Sequence, residues 1–235
     1  NQTFTVNNPN PSPTLTSIAP TSGDRLLTLD VVFTGTGFIT GVSSVNVGPD
    51  ITVNLTTVNS AMQITATITI ASTAATGART FSVTNAGPGG GTSGNQTFTV
   101  NNPSPTLTSI APTAGNRLQA LDVVFTGTGF ITGVSSVNVG LDITVNTTTV
   151  NSPTQITANI TIASTAATGA RTFSVTNAGP GGGTSATQTF TVNNPSPTLT
   201  SIAPTSGDRL QTLDVVFTGT GFITGVSSVN VGLDI

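Results

Sequence analysis

Gly35-Thr36-Gly37-Phe38-Ile39-Thr40-Gly41 has the glycine content of a loop that cradles a phosphate. Its spacing is G-x-G-x-x-x-G, and no helical pattern follows to aim backbone N–H groups at an anion, so a bulge or bend in a strand is expected instead. The Gly87–Gly91 run lacks a lysine and reads as a long hairpin or crossover loop. Three aspartates recur in the chain's internal copies, Asp24, Asp30 and Asp50, with Asn116 taking the first place in the second copy. A calcium site would need several oxygens converging, and no Asp-x-Asp-x-Asp-Gly loop is present. Asp24 and Asp50 are therefore expected to cap turns, and Asp30 to pair at the surface with Arg25 or Arg79. Arg79 and Arg171 open a strand and are expected to protect a sheet edge by charge.

The chemistry excluded by composition is broader. The 235 residues contain no Lys, Glu, His, Cys, Trp or Tyr. Without His or Cys there is no usual zinc site, no Ser-His or Cys-His nucleophile and no disulfide framework. Without Lys there is no P-loop lysine, no Schiff base and no Lys-Asn isopeptide bond. Five Arg at a net charge of -3 neutralise few phosphates, so no nucleic-acid partner is expected. No catalytic, cofactor-binding or metal-ligating residue is expected, and no cofactor. The segment has no run of 18 apolar residues and no charged n-region before an apolar h-region, so neither membrane insertion nor a signal peptide is read in it. Absence of cysteine fits a reducing cytosol and also disulfide-free bacterial surface proteins. The pI of about 4.3 favours the surface.

The elements that hold these residues come in copies. Pro13–Val100 recurs as Pro105–Val192, displaced by 92 residues with 11 differences in 88 positions. A third copy begins at Pro197 and differs from the second at three of its 39 positions. Gln2-Thr3-Phe4-Thr5-Val6 matches Gln96–Val100, so residues 1–12 read as the last strand of a preceding repeat plus a Pro-rich linker. Repeat 1 then spans 13–102, repeat 2 spans 103–194, and 195–235 is the first half of repeat 3. A period of 92 is too long for solenoids and fits one folding domain per repeat. Asn101-Asn102-Pro103-Ser104-Pro105 and its copies, with two prolines in five residues, predict extended, semi-rigid connections. The incomplete third copy is expected to expose an apolar sheet, and the stretch reads as a window on a longer repetitive chain.

Within a unit the hydrophobic period is two. Gln63-Ile64-Thr65-Ala66-Thr67-Ile68-Thr69-Ile70 places Ile64, Ala66, Ile68 and Ile70 on one face and three threonines on the other, a half-buried strand. Phe81 with Val83, Phe98 with Val100, and Val31 with Phe33 mark further inward pairs. More strands are predicted near Leu15–Ile18, Ser44–Val47 and Ile51–Val58. Turn signals fall at Pro20–Asp24, Gly35–Gly37, Gly48–Asp50, Ala75–Gly77 and Gly87–Gly91. About seven short strands in about 90 residues predict an all-β chain of immunoglobulin-like sandwiches.

The motifs Pro13-Thr14-Leu15-Thr16-Ser17-Ile18-Ala19-Pro20-Thr21-Ser22-Gly23, Val32–Phe38, Val45-Asn46-Val47-Gly48, Ile64–Ile68 and Phe81–Asn85 resemble the IPT/TIG domain over nearly all of each copy. The resemblance implies an early-set immunoglobulin-like sandwich, strung in tandem in bacterial surface proteins and adhesins, attached to some carbohydrate-active enzymes, and present in receptor ectodomains and Rel-type transcription factors. One departure is Arg25-Leu26-Leu27, where the family usually has Gly-Gly, so the loop before the second strand is expected to differ. The transcription-factor use is disfavoured by the missing basic loops.

The surface is the remaining informative feature. Fifty Thr and 22 Ser against 13 charged residues make the solvent faces hydroxyl-rich and nearly neutral. Soluble domains usually keep about 25–35% charged residues on the surface, so lateral packing between identical chains or neighbouring repeats is expected. Asn-x-Ser/Thr triplets at Asn1, Asn54, Asn95, Asn146 and Asn159 are no more than the roughly six that chance gives. O-linked glycans on threonine remain possible partners, and ice binding is a minor alternative. The 11 Phe fall at four repeated places, Phe33, Phe38, Phe81 and Phe98 with their copies, mostly as core residues, leaving no Trp or Tyr platform for sugars. The leading expectation is a non-enzymatic extracellular or cell-surface stalk or filament. The alternatives are the spacer of an adhesin with a distal binding domain, or an accessory module of a secreted carbohydrate-active enzyme.

Overall fold

The computed structural model describes residues 9–232, and among them every regular element is a strand. The first unit contains β1 (Thr14–Ala19), β2 (Ser22–Asp24), β3 (Thr28–Thr36), β4 (Ser43–Asn46), β5 (Ile51–Ser60), β6 (Gln63–Ile70), β7 (Gly77–Asn85), β8 (Gly91–Thr92) and β9 (Gln96–Asn101). They form two sheets, ordered β1-β3-β6-β5 and β2-β9-β7-β4, with β8 paired to the end of β7. All pairs within these sheets are antiparallel except β2 with β9, which is parallel. The order is that of a constant-type immunoglobulin sandwich with β2 added beside the last strand.

Alternation of side chains explains the layers. In β6 the isoleucines and Ala66 are buried while the threonines stay at the surface, as the period of two requires. Between the sheets, Phe81 stacks on Phe98 at 4.6 Å and on Phe33 at 5.9 Å, ring planes within 13°. This three-ring stack joins both sheets and lies among buried Ile64, Ile68, Ile70, Val31, Val83 and Val100. Aromatic pairs of this kind add about 0.5–1.5 kcal/mol each beyond the area they bury.

The second unit repeats the plan in β10 (Thr106–Ala111), β11 (Ala114–Asn116), β12 (Ala120–Thr128), β13 (Ser135–Asn138), β14 (Ile143–Ser152), β15 (Gln155–Ile162), β16 (Gly169–Asn177), β17 (Gly183–Thr184) and β18 (Gln188–Asn193). Its sheets run β10-β12-β15-β14 and β11-β18-β16-β13, and Phe125, Phe173 and Phe190 reproduce the stack in a separate core. By contact the chain forms two compact units, with Gly133–Ser135 and Thr176–Thr184 grouping with the first although their strands belong to the second unit's sheets. In the third copy, β19 (Thr198–Ala203) pairs with β20 (Val216–Thr220), and Leu199, Val216 and Phe222 are exposed, as expected for the part of the copy present.

One sequence expectation is corrected here. Ser22–Asp24 forms β2 where a turn was expected, because its pairing with Thr99–Asn101 is made by backbone alone. Gly23 fits there since a Cβ would meet Ile70 at 3.0 Å and Phe98 at 3.1 Å. Arg79 lies in the part of β7 that is paired with β9 on one side only, since β4 pairs further along, with Ser82–Asn85. Its guanidinium donates to the carbonyls of Ala75 and Ala78.

The outermost strands are blunted by their shape. β5 bulges at Asn54 and again at Asn59, and β1 bulges at Thr16. β2 and β4, the edges of the other sheet, have only three and four residues. Bulges and short strands blunt an exposed edge as charged residues do elsewhere.

Candidate functional site

The glycine loops bind the chain itself. Asn10, Pro11 and Ser12 lie against the Gly87–Gly91 loop, where the Asn10 N–H donates to Pro88 O at 2.8 Å and its Nδ2 to Ala86 O at 2.6 Å. Ser12 Oγ donates to Gly90 O at 3.2 Å. A Cβ on Gly89 would come within 2.4 Å of Pro9, and its φ of +77° already demands glycine. In the other glycine motif, Gly35 lies in β3 opposite Leu15, and a Cβ there would sit 1.9 Å from Thr14 O. The bulge beside Gly35 is on the partner strand, at Thr16 of β1, and in both glycine stretches the close approach is by the chain's own backbone.

Asn85 is the hub of this arrangement. It is 2% exposed at the end of β7. Its Nδ2 donates to Pro11 O and to Gly37 O, each at 2.7 Å, while Ser43 Oγ donates to its Oδ1 at 2.5 Å. Ser43 Oγ in turn accepts from the Ile39 N–H at 2.8 Å. A buried amide satisfied at both ends fixes three loops at once. The second copy has the same clip: Asn102 Nδ2 donates to Ala178 O at 2.8 Å, Asn177 Nδ2 to Pro103 O at 2.8 Å, and Ser104 Oγ to Gly182 O at 2.6 Å. The Pro-rich segments expected as spacers are thus bonded along their length. Asn101 closes β9, and the next residue already opens this second clip.

The outer face of the β1-β3-β6-β5 sheet is a polar network. Thr28 and Thr69 hydroxyls meet at 2.8 Å, Thr67 Oγ1 donates to Asp30 at 2.5 Å, and both bulge asparagines reach back across β6. Asn54 donates to Thr69 at 2.7 Å, and Asn59 donates to Thr65 at 2.7 Å and Gln63 at 3.0 Å. Asp30 therefore takes its bond from Thr67, correcting the expected pairing with Arg25 or Arg79. In the second copy Asn159 replaces Thr67 and keeps the bond, donating to Asp122 at 2.6 Å and accepting from Asn146 at 2.8 Å. The triplet asparagines Asn54, Asn146 and Asn159 are engaged in this network, Asn95 is exposed before β9, and Asn1 lies outside the described residues.

Of the aspartates, Asp50 occupies a turn at φ +59°, as a turn residue should, whereas Asp24 lies in β2. Among the described residues no three Asp side chains cluster as a metal site would need.

Topology and packing define the chain as all-β and immunoglobulin-like, with its most elaborate hydrogen-bonded sites closed on its own backbone. No family model and no curated protein matches it. Among solved structures it is similar to the Yersinia pseudotuberculosis adhesin InvE, at 17% identity and a TM-score of 0.44 over 77% of this chain and 58% of that one. It is also similar to Bacteroides ovatus SGBP-B of a mixed-linkage glucan utilization locus, solved with a heptasaccharide, at 18% identity and 0.31 over 80% and 48%. Murine CEACAM1b gives 12% and 0.32 over 77% and 100%. The chain thus spans less than two thirds of the first two of these proteins. No helix among the described residues is long and apolar enough to cross a membrane.

Proposed function

We propose that the chain is a structural, non-enzymatic protein, a tandem array of IPT/TIG-like sandwiches that forms a stalk or filament outside the cell. The observation that carries this reading is the recurrence of one unit at a fixed 92-residue displacement with only 11 differences in 88 positions. Near-identical units offer equivalent contacts at every repeat, which is what a regular fibre needs. The nearly uncharged, hydroxyl-rich strands leave little repulsion between neighbours, so identical chains are its partners. Electron microscopy of the native material tests the proposal. Fibres with an axial spacing of roughly 35–45 Å, or a small multiple of it, are expected from strands of about eight residues plus loops. Separate strings that each end in a distinct knob would overturn it in favour of a spacer.

A further inference from the structure

We infer that lateral self-association uses the outer face of the β2-β9-β7-β4 sheet in either unit, each laid against the same face of a second chain; the inference rests on the assembly reading above. The two sheets of a unit differ in what their central strands offer. On β3 and β6 the hydroxyls of Thr28, Thr65, Thr67 and Thr69 are engaged with one another, with Asp30 or with the bulge asparagines. On β7 and β9 the exposed or half-exposed Thr80, Thr97 and Thr99 stand beside Ala78, in the pairs Thr80↔Thr97 and Ala78↔Thr99. Among the described residues their hydroxyls have no intramolecular partner. The second unit repeats this with Thr172↔Thr189 and Ala170↔Thr191.

Each free hydroxyl is both donor and acceptor, so a copy of the same face can satisfy it, while the methyl groups and alanine supply apolar contact. Side chains this small let two sheets approach to about 10 Å. Charge separates the two candidate faces. Asp30 lies on β3, a central strand, and would bring like charges together if that sheet met itself. On the strands of the opposite sheet the one carboxylate, Asp24, is on the three-residue edge strand and becomes Asn116 in the second copy.

The test is sedimentation velocity on the full chain from about 1 to 100 μM, spanning the weak affinities expected of such contacts. The double variant Thr80→Asp with Thr172→Asp is expected to shift association to at least about tenfold higher concentration, with an unchanged melting profile. Thr57→Asp with Thr149→Asp, on the other sheet, is expected to leave association as it was. Mixing the aspartate variant with Thr80→Arg/Thr172→Arg is expected to restore it, since opposite charges then face each other. Equal loss from both aspartate variants, or none from the first, would overturn this face while leaving the assembly reading intact. A wild-type chain that stays monomeric throughout would overturn both.

Discussion

Phe81→Ala is expected to split the thermal unfolding of the chain into two well-separated steps. Phe81 is the middle ring of the first unit's stack, in contact with Phe33 from the facing sheet and Phe98 from the neighbouring strand. Truncation removes the burial of a fully enclosed ring and leaves a cavity in the core that also holds Ile64, Ile68 and Val83. Large-to-small changes of this kind cost about 3–5 kcal/mol. For a domain of 60–100 residues each kcal/mol moves the midpoint by about 4–8 °C, so the first unit's transition should fall by about 12–40 °C. The second unit keeps Phe125, Phe173 and Phe190, and its transition serves as an internal reference. Calorimetry reads both steps. A single transition displaced as a whole would show that the two cores do not unfold separately.

The second large effect is expected from Asn85→Ala. The change deletes the amide that holds Pro11, Gly37 and Ser43, so the half-buried Gly37 carbonyl and Ser43 hydroxyl lose their partner and the exposed Pro11 carbonyl loses its donor. Each of these two half-buried groups left without a partner costs about 1–3 kcal/mol, giving about 2–6 kcal/mol in all. The loss should be visible locally before it is visible globally. Hydrogen exchange at the Asn10 amide, bonded to Pro88 O, is expected to accelerate at least about a hundredfold, while amides of β5 and β6 change only with the overall stability. Uniform acceleration across the unit would mean that Asn85 contributes to the fold without specifically retaining the incoming segment.

The alternating strand at Gln63–Ile70 and the inward phenylalanines could be read directly because period-two burial is written in the side chains themselves. Ser22–Asp24 could not, since its pairing uses only backbone and its composition resembles a turn. Asn85 was within a recognised motif, yet its partners lie 74 and 48 residues away, and nothing local announces them. The one available signal was an asparagine ending an otherwise apolar and threonine-rich strand in both copies, at Asn85 and Asn177. The neutrality of the surface was legible, but the way the edges tolerate it was not. Bulges at Asn54 and Asn59 appear only when β5 is laid on β6.

The parallel pairing of β2 with β9 joins Ser22 to Thr99, nearly the whole length of a unit. A sandwich closed this late cannot be completed until its last strand has left the ribosome. Synthesis at about 5–20 residues per second separates successive copies of that strand by several seconds or more. β-sandwiches fold in milliseconds to seconds. Each unit can therefore close on its own final strand before the identical strand of the following copy exists to compete for it. Order of emergence, more than any difference in sequence, keeps these near-identical neighbours from exchanging strands.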